Sequence, residues 1–189
     1  MEIPGLGAVT KDKEFDWLYS KPMKVRALRD NKCRLVLEGY ETDRHKDDFH
    51  TAIQNFLMID DAPLNKATNH IFEYYQDCAE MNAEMNAAEH NLGIPLPELE
   101  FPRIETPDEV WGYLELGTEP LFTRRAYGDK GIYVSLECHC DWEEEHGLQI
   151  VFKNGLVVNK VGSYDGHVTN SDAYGKKSLD NVVYHRIRG

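Results

Sequence analysis

Cysteine is scarce in this chain. Four residues, Cys33, Cys78, Cys138 and Cys140, in a length of 189 are too few for a disulfide scaffold and read as free thiols in a reducing cytoplasm. Long apolar runs are missing too. No stretch approaches the ~18 residues of a membrane span, so no membrane association is expected. The opening Met1-Glu2-Ile3-Pro4-Gly5-Leu6-Gly7 lacks a basic region followed by an apolar one, and no secretion signal is expected. Basic residues are outnumbered: 21 Lys and Arg stand against 33 Asp and Glu, a formal net charge of −12. Nucleic-acid binding needs a basic footprint and is not expected. The charge suits solubility and the steering of a basic partner. No cofactor is expected.

What remains is a globular composition, 41% hydrophobic and 11% aromatic, long enough to bury a core. Residues 1–189 read as a single α+β domain. Near the N-terminus, Gly5 to Val9 open a short strand. Met23, Val25 and Ala27 alternate before the polar stretch Arg29 to Lys32, and Cys33, Leu35 and Leu37 alternate after it. That pattern predicts a hairpin with one buried face, on which Cys33 is an inert thiol.

Phe49, Ala52, Ile53, Phe56 and Leu57 form one helical stripe, predicting a helix from Asp43 or His45 to Ile59. A second helix begins at Asp60-Asp61-Ala62-Pro63, an Asp cap with Pro in the first turn. Leu64, Ala67, Ile71, Tyr74, Cys78, Met81, Met85, Ala88 and Leu92 predict a seam of about four heptads packed within the fold, ended by Gly93 and Pro95. Six acids against Lys66 over 61–92 make one side of it acidic, with Glu73, Asp77, Glu80 and Glu84 as a solvated face. Residues 94–107 carry four of the eight prolines and read as an extended crossover, pinned by Leu96, Leu99, Phe101 and Ile104.

From Val110 the chain reads as strands: 110–116, 121–127, 131–140, 147–153 and 156–161, with a further edge strand over 182–187. Asn154-Gly155 specifies a two-residue type I′ turn. That register pairs Phe152 with Val157, Ile150 with Asn159 and Leu148 with Val161. The expected architecture is an antiparallel meander from the C-terminal half, joined by the N-terminal strands and covered by two helices.

The chemistry-bearing residues cluster between Cys138 and His167. Alternation places Cys138 and Cys140 on one face and His139 on the other. Cys138, Cys140, His146 and His167 are the residue types of a zinc site, although Cys-x-Cys lacks the Cys-x-x-Cys turn. Cys138 or Cys140 with His146 and Glu145 supplies the types for nucleophilic catalysis, but the surrounding acids raise a thiol pKa. Over 108–149 there are ten acids and three bases. The acidic turn Asp141, Trp142, Glu143, Glu144, Glu145 and His146, with Tyr164, Asp165 and His167 nearby, reads as a protein-binding patch. If Trp142 is buried instead, it only braces this loop.

The run Cys140-Asp141-Trp142-Glu143-x-Glu145-His146-Gly147-Leu148-Gln149, followed by Gly162-x-Tyr164-Asp165-Gly166-His167, resembles a family of small bacterial proteins of unknown function. Ile3-Pro4-Gly5-Leu6-Gly7 and Phe72-Glu73-Tyr74-Tyr75 extend the resemblance over most of the chain. Relatives are similar in size and context to immunity proteins of polymorphic toxin systems, which implies a cytoplasmic interaction protein that neutralises a basic toxin. The resemblance transfers no catalytic residue. A metal- or thiol-dependent enzyme using residues 138–167, and a small-molecule binding module, are the alternatives.

Overall fold

The computed structural model describes residues 1–91 and 101–186. The helix stop expected at Gly93 and Pro95, the first part of the crossover and Ile187 lie outside the described residues. Two short strands, β1 (Glu2–Ile3) and β2 (Gly7–Ala8), pair with each other, and β3 (Thr10–Lys11) and β4 (Leu18–Tyr19) follow. The expected hairpin forms between β5 (Met23–Val25) and β6 (Asn31–Cys33), and Cys33 is fully buried. It stands as a separate two-stranded sheet. The main sheet is reached instead by β7 (Val36–Leu37), β4 and β3.

Helix α1 (Lys46–Met58) buries Phe49, Ala52, Ile53 and Phe56, as its apolar stripe predicts. Helix α2 (Ala62–Asn91) starts where Asp60 Oδ1 accepts from Ala62 N at 3.1 Å. Leu64, Ala67, Ile71, Tyr74 and Cys78 are buried on it. The seam ends sooner than its periodicity implies: Met81 is half-buried, and Met85 is 59% exposed. A 30-residue helix is about 45 Å long, whereas the strand it crosses most closely, β12 (Val157–Gly162), is six residues or about 20 Å.

The remaining strands are β8 (Leu114–Glu115), β9 (Leu121–Arg124), β10 (Ile132–Cys140) and β11 (Leu148–Lys153). The main sheet runs β12-β11-β10-β9-β7-β4-β3, with β8 on the far end of β10. It is antiparallel except for β7 and β9, which pair in parallel through Val36↔Leu121 and Leu37↔Phe122. Of the strand expected over 110–116, the first three residues belong to a 3₁₀ helix, Pro107–Gly112, and only Leu114–Glu115 pair as a strand. Pro107 opens it, and Glu109 Oε2 accepts from Glu105 N at 2.8 Å and Thr106 N at 3.3 Å. Residues 182–186 form no strand. Their link to β12 is the bond from Val161 N to Val183 O at 2.7 Å.

Even-numbered residues of β10 and β11 face the helices. Phe56 packs edge-on against Phe122 and Phe152, with centroids 5.6 and 5.2 Å apart. Among the described residues no helix is long and apolar enough to cross a membrane.

Asn154 and Gly155 both have positive φ, 52° and 68°, as the type I′ reading requires. The register differs from the expected one. Lys153 pairs with Val157 and Phe152 with Val158, and a bulge between Val151 and Phe152 then brings Ile150 opposite Val161. The turn also seats on α1: Asn55 Nδ2 donates to Asn154 O at 3.0 Å. A Cβ on Gly155 would lie 2.3 Å from Ala52 O. Gly155→Ala therefore combines a strained φ with a backbone clash. It is expected to cost about 1–3 kcal/mol, measured as a lowered urea midpoint. An unchanged midpoint would show that the turn does not bear on α1.

Candidate functional site

Odd-numbered residues of β10 project from the sheet face away from the helices. One end of this second face is covered by residues 163–180, which include helix α3 (Asn170–Tyr174). Tyr133, Val151 and Val168 make a small apolar cluster beneath that cover. Lys160 is buried beside it. Its ammonium donates to Gln149 Oε1 at 2.8 Å, His167 O at 3.0 Å and Asp165. Burial lowers its pKa, although Asp165 opposes that shift. With three acceptors for three protons, Lys160 is a structural tie.

The other end of the face is open. There, Glu119, Glu137, His139 and Tyr164 line a hollow of about 420 Å³ with Trp17, and the Glu144–Gly147 turn forms one wall. Arg34 pairs with Glu119. Glu137, Glu144 and Glu145 have no ion-pair partner among the described residues. The Tyr164 phenol is pushed up from its ordinary pKa first by burial, then by the charges of Glu137, Glu38 and Asp165.

The 141–146 loop is a ridge between this hollow and a second one of about 590 Å³. The second lies against Cys78, Met81 and Met85 of α2 and against Phe101. Within the loop the expected residues divide. Glu144, Glu145 and His146 are exposed and reach both hollows. Asp141 is exposed, 3.5 Å from His139. Glu143 is half-buried and closes the turn: its Oε1 accepts from Glu145 N at 3.1 Å and its Oε2 from His146 N at 3.0 Å. Trp142 is a correction. Read as an exposed partner anchor, it is only 4% exposed and packs edge-on against Tyr75 and Tyr74 at 5.9 and 6.4 Å. It braces the loop.

Tyr164 joins the first hollow, whereas Asp165 and His167 form a separate turn. There Asp165 Oδ1 accepts from His167 N at 2.8 Å. The metal set is not assembled. Cys138 and Cys140 point into the core, His146 and His167 stand on the surface, and among the described residues no three His, Cys, Asp or Glu side chains are placed to share an ion. Burial pushes both the Cys138 and Cys140 thiols up to about 12, so neither is a ready nucleophile near neutral pH.

Asp77 is the second correction. It is buried rather than part of a solvated face, and Tyr184 and Arg186 hold it, with Arg186 Nε 2.8 Å away. Four chemistry-bearing residues of the hollow, Trp17, Glu119, Glu137 and His139, lie outside the patch expected from the sequence. Glu137 and His139 had a usable signal, since the alternation that turns Cys138 and Cys140 inward turns them outward. Trp17 and Glu119 arrive through the β9-β7-β4 pairing, which has no local signature.

No curated protein matches the chain, and no solved structure matches it. A family model described as "Domain of unknown function (DUF6985)" matches residues 5–168, so the chain belongs to the DUF6985 family.

Proposed function

We propose that this protein is a bacterial, cytoplasmic protein-interaction module whose acidic hollow receives a cationic segment of a partner, most concretely as an immunity-type inhibitor of a basic toxin. The observation that carries this reading is the arrangement of Glu137, Glu144 and Glu145 around a concavity flanked by Trp17 and Tyr164, with no counter-charge on those three carboxylates. Concave, low-dielectric walls focus the field of like charges and raise the local concentration of a cation. Half-buried aromatic rings beside them suit the aliphatic and guanidinium parts of Lys and Arg.

The test is capture of partners from the native host with wild type and with Glu137→Lys/Glu145→Lys. Both side chains are exposed, so the double variant is expected to fold with near wild-type stability. A captured basic partner is expected to associate at least tenfold more slowly with the variant. Its on-rate to wild type should fall as salt shortens the Debye length from about 30 Å at 0.01 M to about 8 Å at 0.15 M. Equal on-rates for both proteins, with no salt dependence, would remove the hollow as the recognition site.

A further inference from the structure

A third concavity, of about 500 Å³, shares no residue with the acidic hollow. It lies where the C-terminus of α1, the start of α2 and the β11–β12 hairpin meet. Its walls are apolar and unusually open to water: Met58 is 68% exposed, Val157 56% and Leu156 41%, with Ile59 and Val158 half-buried behind them. Contiguous exposed apolar side chains of this kind mark binding surfaces, and the volume lies in the range of small-ligand pockets.

The rim carries more positive than negative side chains. Arg26, Lys66 and His70 line it, against Asp60 alone. Asp60 is already committed to the α2 N-terminus, and His70 pairs with Glu73 at 3.0 Å. The side chains of Arg26 and Lys66 have no partner among the described residues. Arg26 and Lys66 are therefore free to meet an anion at the edge of the apolar trough.

We propose that this trough binds a small amphiphile consisting of an aliphatic chain with one carboxylate head, the chain lying along Met58, Leu156 and Val157 and the head meeting Arg26 and Lys66. The net charge selects this occupant over an acidic protein segment. A polyacidic partner extends over many ångströms and meets the repulsion of the whole surface. A single carboxylate feels mainly the charges within about 8 Å at physiological salt, and on this rim the cations Arg26 and Lys66 outnumber Asp60.

Calorimetric titration of the full chain with dodecanoate, below its micellar concentration, tests this against dodecylammonium. Dodecanoate is expected to bind one to one. Dodecylammonium, favoured by the overall charge, is expected to bind at least tenfold more weakly. Arg26→Glu/Lys66→Glu should weaken dodecanoate at least tenfold, and Val157→Asp should abolish detectable binding. All three side chains are exposed, so melting temperatures should stay within about 2 °C of wild type. Equal affinity for both amphiphiles, or undiminished dodecanoate binding by the charge-reversed variant, would overturn the proposal. So would a concentration-dependent dimer lost in Val157→Asp, which assigns the trough to a second copy of the chain. Tighter binding of an acidic amphipathic peptide than of dodecanoate would overturn it in favour of a protein partner.

Discussion

Asp172→Ala is expected to remove about 3–5 kcal/mol of folding stability, a large share of the roughly 5–15 kcal/mol available to a typical domain. The reason is the guanidinium left behind. Arg125 is 3% exposed at the end of β9 and meets Asp172 in a two-pronged contact, Nε to Oδ2 at 2.7 Å and Nη2 to Oδ1 at 2.8 Å. Asp180 lies 2.6 Å from Nη2, Asp129 is more distant at 3.7 Å, and Nη1 finds no hydrogen-bond acceptor among the described residues. Removing Asp172 leaves the buried guanidinium with only Asp180 at close range and its Nε without an acceptor. Arg125→Met removes the charge with its desolvation cost and is expected to cost much less. Urea unfolding of the two variants gives the comparison, and equal losses would mean that Arg125 acts mainly through packing.

The same contact sets a pH dependence. Hydrogen bonding to Arg125 holds the Asp172 carboxyl below the ordinary carboxylate range. The folded pKa is thus depressed, so the stabilisation is fully present above the unfolded value of about 3.9. It is lost as pH falls below that value and through the folded pKa. Asp172→Asn should flatten this part of the acid-unfolding profile. Since Arg125 and Asp172 tie residues 163–180 over the second face, amide exchange at Tyr133 and Val151 should rise in Asp172→Ala before the helices loosen.

Local chemistry made several elements legible. The α1 stripe, the Asp60 start of α2 and the Asn154-Gly155 turn each rest on side chains a few residues apart, and each forms where its pattern implies. The misread features depend on distance. The register of β12 departs by one position at the turn and by a second at the bulge, and neither shift has a residue signature, while the hairpin tip meets α1 99 residues earlier in the chain. Asp77 looks solvated on a helical projection and becomes buried through partners more than a hundred residues later. The 3₁₀ helix at Pro107 was readable, since Thr106-Pro107-x-Glu109 is a helix-start signature that apolar alternation over 110–116 obscures. The candidate site is legible only in part. Its acidic turn is contiguous in sequence, but Trp17 and Glu119 reach the hollow through strand order, including a parallel pair that a meander does not anticipate.

Trp142→Ala is expected to cost about 3–5 kcal/mol, whereas Trp142→Phe, which leaves a smaller void, should cost clearly less. The indole is buried against Tyr74 and Tyr75, and its Nε1 has no acceptor among the described residues. Alanine leaves a cavity between α2 and the loop. Phenylalanine keeps most of the apolar contact and discards a buried donor whose desolvation costs about 1–3 kcal/mol. The loop depends on that support. Gly147, at φ 64°, returns the chain so close to β10 that a Cβ there would lie 2.5 Å from Cys138 O. Tyr74 donates to Gly147 O at 3.0 Å from the helix side. Trp142→Ala should therefore displace the Glu144 and Glu145 carboxylates from the hollow and weaken a cationic partner indirectly. Trp142→Phe should leave that affinity intact. Thermal denaturation and partner affinity measured on both variants separate bracing from direct contact. A Trp142→Phe protein that melts with wild type but binds a captured basic partner tenfold more weakly would make the indole itself part of the interface, because phenylalanine preserves the brace and removes only part of the ring area and the indole N–H.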